Sequence, residues 1–376
     1  MTDVIVIGGG IVGCAVAAHL AGDGRSVVLV ERTEIAAGAS GRNSGVVQHP
    51  FDPVLVDMHR TTLDLYRGLP TTPGIDLALP TEPAGLLMVA HDASAIRTLT
   101  DVLAGSHPEL RPEYLAPGEV TALEPTIGPE VAACRLAIGY PVAPAVATMA
   151  YAARAGELGA ALRVGRGARL WRAGDAVQGV VLDDGTRIAA PDVVVAAGPW
   201  SAALIDPSGS WRPIRPLWGV VVAVNLEEPP RHVIEEAEAD LEPGLTDAPA
   251  SHAFSLVTAD RKSTLGSTFL TAEPDPAAEL PRILARARTF MPGIDGAALG
   301  ALRACARPLS LDGRPLIGRV PGAPGVWIAA GHGPWGISTG PAAGPMLVRA
   351  MGGDGDAIPG ALDPARFGTV PMTAPD

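Results

Sequence analysis

The sequence predicts an α/β protein in which a doubly wound, largely parallel sheet is interleaved with an α+β region built on antiparallel strands. Three observations predict it. A strand–glycine loop–helix–strand unit opens the chain, and strand-like runs ending in glycine return near residues 192–198 and 326–331. The segments between them carry strand patterning with no glycine fingerprint.

The opening unit begins with Val4-Ile5-Val6-Ile7, a short, β-branched, apolar run suited to a strand buried on both faces. Gly8-Gly9-Gly10-Ile11-Val12-Gly13 reads Gly-x-Gly-x-x-Gly, and Cys14 to Ala21 is an alanine-rich helix ended by Asp23-Gly24. Ser26 to Val30 is a second strand, with Glu31 and Arg32 at its carboxyl end. Gly8 permits the tight turn, Gly10 lets the backbone approach a pyrophosphate, and Gly13 lets helix and strand pack closely. The N–H groups from Gly10 through Ile11 and Val12 lie at a positive helix end suited to phosphate. Glu31 stands 18 residues after Gly13, against about 20 in the dinucleotide fingerprint, where the acid accepts from ribose hydroxyls.

Composition bounds the rest. At 376 residues and 47% hydrophobic content the chain can bury a large core, which excludes disorder as its dominant state. A net charge of −12 offers no footprint for phosphate backbones, so nucleic acid is not an expected partner. Three scattered cysteines, Cys14, Cys134 and Cys305, supply neither a disulfide framework nor a zinc site, and no metal is expected. The apolar run Val4 to Ala21 contains four glycines and His19, and follows Met1-Thr2-Asp3, not a basic leader. The expectation is a soluble cytoplasmic protein without a membrane partner, a monomer or small homo-oligomer.

The βαβ unit does not separate FAD from NAD. Gly38-Ala39-Ser40-Gly41-Arg42-Asn43-Ser44-Gly45-Val46-Val47 adds a run of small and hydroxyl residues just after the second strand. Here the chain resembles the FAD-dependent D-amino-acid oxidase superfamily, the group that includes glycine oxidase and monomeric sarcosine oxidase. The resemblance implies a Rossmann-like FAD-binding domain of glutathione-reductase type, with residues 1–78, 142–216 and 305–376, and a substrate-binding domain of residues 79–141 and 217–304. In the family, the segment around Ser40, Gly41, Arg42, Asn43, Ser44 and Gly45 wraps the pyrophosphate and passes beside the flavin, where only small side chains allow contact.

Two further stretches carry the resemblance. Asp192 to Ser201 is a strand ending in Ala197-Gly198, with Trp200 beyond, and looks like the second nucleotide-contacting strand. Before it, Gly156 to Val164 reads as a helix and Gly179 to Ile188 as a hairpin turning at Asp184-Gly185. The third stretch runs from Arg307 through Asp312-Gly313 to Val326-Trp327-Ile328-Ala329-Ala330, then Gly331-His332-Gly333-Pro334-Trp335-Gly336-Ile337-Ser338, with a helix over Gly340 to Ala350. In relatives such a loop sets backbone N–H groups against the flavin N1–C2=O region, where a helix amino terminus stabilises negative charge on reduction.

Strand-like runs at Gly85 to Val89, Trp218 to Val224 and Ser263 to Thr268 match the family's capping sheet, whose inner face forms the substrate pocket. The resemblance makes Arg307 the residue that grips a substrate carboxylate, through two parallel guanidinium bonds. Gln48 and His49 follow the flavin loop, where relatives place polar groups; His49 could bind substrate, tune the flavin, or be structural. Phe254 stands where relatives often place a tyrosine, which implies a more apolar pocket. Cys305 is placed like the cysteine that bonds the flavin in monomeric sarcosine oxidases, so FAD is expected non-covalent with a Cys305 link as the alternative.

The implied reaction is oxidation of a small carboxylated amine, an amino acid or N-substituted glycine. Hydride passes from the carbon next to nitrogen to flavin N5, the imine hydrolyses, and dioxygen becomes hydrogen peroxide. The string Ser40 to Val47 also resembles a 2-hydroxyglutarate-oxidising branch, and a 2-hydroxyacid dehydrogenase would need a base such as His49 or His332. An electron-transfer subunit passing electrons to a protein partner is the third reading.

Overall fold

A computed structural model describes residues 1–77, 79–174, 176–237 and 251–371. The Val4–Ile7 strand lies at the centre of a six-stranded sheet, flanked by Val27–Glu31 and then Ala161–Val164 on one side. On the other side come Asp192–Val195, Val326–Ala330 and the edge strand Leu316–Arg319. All pairs are parallel except the last, which joins Leu316–Arg319 to Val326–Ala330. The strand order therefore reverses between Val4–Ile7 and Asp192–Val195, and a crevice opens at the carboxyl ends of those two strands, the usual ligand position in such sheets.

Each face of this sheet is covered. The Ile11–Gly22 helix packs with Val146–Glu157 and Ala343–Met351 on one face, burying Cys14, Val16, Leu20 and Tyr151. A three-stranded antiparallel meander, Ala168–Ala173, Ala176–Leu182 and Arg187–Ala189, lies over the other, sealing Val180, Val193 and Ile328. The hairpin expected over Gly179 to Ile188 is this meander's turn. The helix expected over Gly156 to Val164 is not there. The helix ends at Glu157, Gly159 turns with φ +95°, and Ala161–Val164 is a strand. The expected Gly340 to Ala350 helix is also broken, into a 3-10 turn at Gly340–Ala342 and a helix from Ala343. Gly340 packs against Val12, where a methyl group would crowd Val12 Cγ2 at 2.9 Å.

The second sheet has eight strands in the order Ala298–Ser310, Ile214–Asn225, Lys262–Phe269, Ser251–Ala259, Val233–Glu236, Leu86–Ala90, Ala132–Leu136, Glu113–Leu115. It is not wholly antiparallel as expected: Val233–Glu236 and Leu86–Ala90 run parallel. That pair joins the two separate stretches of chain that build the sheet. The Pro276–Phe290 helix packs on its outer face, with Ile283 and Phe290 buried against Phe254 and Leu256. Both of the long strands Ile214–Asn225 and Ala298–Ser310 run across points where the sequence reading divides the chain, at 216/217 and 304/305. Each strand runs unbroken across its division and lies wholly in the eight-stranded sheet.

No helix among the described residues is long and apolar enough to cross a membrane.

Candidate active site

A cavity of about 790 Å³ lies between the carboxyl ends of the six-stranded sheet and the inner face of the eight-stranded one. That is near the upper end of the roughly 300–1,000 Å³ usual for ligand sites. Its nucleotide end is set by the glycines. Gly8 has φ +118°, and a methyl there would overlap the Ala196 carbonyl; one on Gly13 would overlap the Gly8 carbonyl. Gly13 thus shapes the turn from behind and does not line the cavity. Gly10, Ile11 and Val12 do line it. Ser40 Oγ accepts from Ile11 N–H at 2.9 Å, which docks the 38–45 segment on the helix amino terminus.

Glu31 lines the cavity beside Arg32. Its carboxylate accepts from Gly9 N–H at 2.7 Å and Thr33 N–H at 2.8 Å, so it anchors the loop as well as facing the cavity. Arg32 lies with its Cζ 5.6 Å from the centre of the Trp200 ring, and Trp200, 48% exposed, lines the cavity with Ala197 and Gly198. The 38–47 segment is not all loop: Ala39–Arg42 is one helical turn. Ser40, Arg42, Asn43 and Ser44 line the cavity, whereas Gly41 packs on Ala36 and Gly45, φ +90°, on Val142.

At the opposite end, the chain leaving Val326–Ala330 turns at Gly331 and forms short helical turns over Gly333–Trp335 and Gly336–Thr339. His332, Gly333, Gly336, Ile337 and Ser338 line the cavity; Gly331, φ +92°, faces Leu316 and Ser310 instead. Ser338 Oγ accepts from Gln48 N–H at 2.9 Å, tying this loop to the segment that follows Val47. His332 is 1% exposed. Its Nδ1 is 3.0 Å from Thr339 Oγ1, whose own hydrogen goes to the Trp335 carbonyl, so Nδ1 is the donor. Burial pushes the His332 pKa down to about 3, leaving a neutral ring with a bare Nε2 lone pair that has no partner among the described residues.

The eight-stranded sheet supplies the third wall. Arg307, on Ala298–Ser310, leans across Gly219 of the neighbouring strand. Its guanidinium donates to the Thr268 carbonyl at 2.8 Å and to Ser267 Oγ at 2.6 Å, and lies 4.8 Å from the centre of the Phe269 ring. No carboxylate among the described residues forms an ion pair with it. Burial lowers its pKa, the expected effect of taking a cation out of water. Cys305 lines the same wall and is 6% exposed. Burial raises its thiol pKa, against the pull of Arg307, Arg42 and Arg303.

Two candidate side chains are turned from the cavity, and for His49 the structural alternative is the one its position favours. His49 does not line the cavity; it sits in a cluster with Phe51, His59 and His107, and burial pushes its pKa down to about 4. Adjacent residues of extended chain point in opposite directions, and Gln48 is the one that faces inward. Phe254 borders the cavity, but its ring is 1% exposed and stacks on Phe290 at 4.8 Å in the core behind the sheet. Its neighbour Ser255 lines the cavity. Glu235, which the sequence reading does not single out, lines it too and accepts from Gln48 Nε2 at 3.0 Å. The string Val233-Ile234-Glu235-Glu236 hides it, because apolar and acidic residues fall in consecutive pairs with no alternation.

This crevice joins a glycine-lined dinucleotide end to a cationic wall, the layout of an enzyme that works through a dinucleotide cofactor. The chain belongs to the FAD dependent oxidoreductase family known as DAO, which it matches over residues 3–350, and FAD is its cofactor. It is similar to glycine oxidase of Pseudomonas aeruginosa, 29% identical over 367 residues, covering 93% of this chain and 94% of the relative. The glycine oxidase of Pseudomonas putida is 27% identical over 377 residues, covering 93% and 94%. Among solved structures, iminodiacetate oxidase from Chelativorans sp. BNC1 superposes with a TM-score of 0.80 at 23% identity, covering 96% of this chain and 99% of that one.

Proposed function

We propose that the enzyme oxidises a small carboxylated amine, an amino acid or N-substituted glycine, and passes the electrons to dioxygen, releasing hydrogen peroxide. On this reading the segments 1–78, 142–216 and 305–376 hold the cofactor, and 79–141 and 217–304 hold the substrate. Gly8, Gly10, Ile11 and Val12 would cradle the pyrophosphate, Glu31 and Arg32 the adenosine half, and Gly333 through Ser338 the ring. FAD supplies a two-electron oxidant that takes hydride from the carbon next to nitrogen.

The observation that carries the reading is the half-buried Arg307 guanidinium, facing the cavity with no counter-ion from the described residues. A cation held partly out of water in this way calls for an anionic ligand. A carboxylate meets its geometry, and held there it fixes the neighbouring carbon in one orientation. Phe269, Val221 and Trp218 form apolar surroundings that limit water. An amine entering as the neutral base needs no side chain to remove a proton, and water then hydrolyses the imine. Oxidising an alcohol would require a base. His49 is turned away, and His332 is depressed to a pKa of about 3, which makes it a weak one.

The test is anaerobic mixing of the yellow holoenzyme with glycine, N-methylglycine, longer amino acids of both hands and 2-hydroxyglutarate. Amines should bleach the flavin, and admitting air should yield peroxide equal to the amine consumed. Bleaching by hydroxyacids alone would overturn the reading.

A further inference from the structure

The cavity has a second charged pole that the proposed reaction does not use. Along Val233–Glu236 side chains alternate. Ile234 is in the core under the Pro276–Phe290 helix, and Glu236 pairs with Arg286 of that helix. Glu235 therefore points to the opposite face, where it lines the cavity. Register places Ser255 opposite Glu235 and Gly266 opposite Ser255, on strands next to one another.

The Arg307 guanidinium is anchored on Lys262–Phe269, two strands away from Glu235. With neighbouring strands about 4.8 Å apart, cation and carboxylate are separated by roughly 10 Å across the sheet. They are too far apart to neutralise each other and are suited to opposite ends of one ligand. Gln48 Nε2 donates to Glu235 Oε2 and orients the carboxylate from the side. A carboxylate accepts at several lone-pair positions, so that bond is compatible with a ligand donor as well.

We infer that the preferred substrate carries a basic group remote from its carboxylate, bound by Glu235 while Arg307 holds the acid. This deepens, and rests on, the reading of Arg307 above. Amino acids with an ammonium or guanidinium side chain meet the requirement. Acids with a second carboxylate are rejected, because like charges would face each other in a site shielded from water.

Two measurements on the holoenzyme test it. Anaerobic reduction of the flavin is compared for ornithine, norvaline and glutamate of both hands. Ornithine should exceed norvaline in kcat/KM by about tenfold or more, with glutamate slowest, and in Glu235→Gln the ornithine-to-norvaline ratio should approach one. Independently of any variant, perturbation of the flavin absorbance gives Kd for 6-aminohexanoate and hexanoate. The amino acid should bind about tenfold tighter, an advantage that salt weakens. Norvaline matching ornithine, or hexanoate matching 6-aminohexanoate, overturns the assignment of Glu235 while leaving amine oxidation standing. Failure of every amine to bleach the flavin overturns both.

Discussion

Gly219 lies directly beneath the guanidinium of Arg307, so that a methyl group on Gly219 would overlap Nη1, Nη2 and Cζ. Register pairs Gly219 with Cys305 and Leu217 with Arg307, so the arginine side chain crosses a position emptied by the glycine to reach Ser267 and Thr268. Substituting Gly219→Ala should therefore displace the cation without touching the cofactor end. The expected result is a KM for carboxylated amines raised about tenfold or more, at unchanged flavin content, since displacing one charged hydrogen-bonded contact is worth about 1.5–3 kcal/mol. Steady-state kinetics with the flavin-to-protein absorbance ratio checks it; an unchanged KM would count against the role of Arg307.

Removing the cation itself should cost more. Arg307→Ala leaves the substrate acid facing Ser267 and Phe269 alone, a loss of about 2–5 kcal/mol, or roughly 30-fold to several-thousand-fold in kcat/KM. Arg307→Lys should recover only part of this, because an ammonium cannot present two parallel bonds. Anaerobic flavin reduction with a saturable amine measures both. A lysine variant as active as the parent would mean that no bidentate carboxylate is held there.

The parts of the site legible in the sequence are those fixed by backbone. Gly8, at φ +118°, and Gly13, packed on the Gly8 carbonyl, stand where a side chain would strike backbone, and that demand is written in the local spacing of the glycines. Side-chain direction is different. Gln48 and His49 are neighbours, as are Phe254 and Ser255, and in each pair one faces the cavity and the other the protein interior. A one-residue error reverses the assignment. Register settles it only once strands far apart in sequence are paired, which is also why Glu235 stays hidden until Val233–Glu236 is seen against Leu86–Ala90 and Ser251–Ala259. Arg307 is legible through the pattern that follows it, but its dependence on Gly219 is not.

Cys305 faces the same cavity with its thiol pKa raised by burial. The thiolate is the nucleophilic form, and three nearby arginines do not offset the loss of solvation. FAD is therefore expected to be held without a bond to this sulfur. Acid precipitation should leave the colour in the supernatant, and Cys305→Ser should retain flavin. Yellow colour staying with the pellet would show the opposite.

Acid sensitivity offers a final check on the buried histidines. His49 and His59 have ring centres 5.3 Å apart. Burial first, then the neighbouring positive groups, push each pKa down to about 4, while burial alone takes His332 to about 3. In the unfolded chain each would titrate near about 6.5. Below that pH the unfolded state binds protons that the folded state refuses, so the stability these neutral rings contribute is complete above pH 6.5 and declines as pH falls toward 4. This window lies above that of the depressed carboxylates Asp92, Asp206 and Asp312, whose contribution fades only below the ordinary aspartate range. Urea unfolding between pH 7 and pH 5 should show stability dropping with a slope of up to about three protons per molecule from these rings, to which His19, also depressed by burial, adds. His49→Gln should remove close to one of them while leaving the flavin bound, because His49 faces away from the cavity. A stability flat across that range, or a slope indifferent to His49, would mean that these rings accept protons in the folded protein.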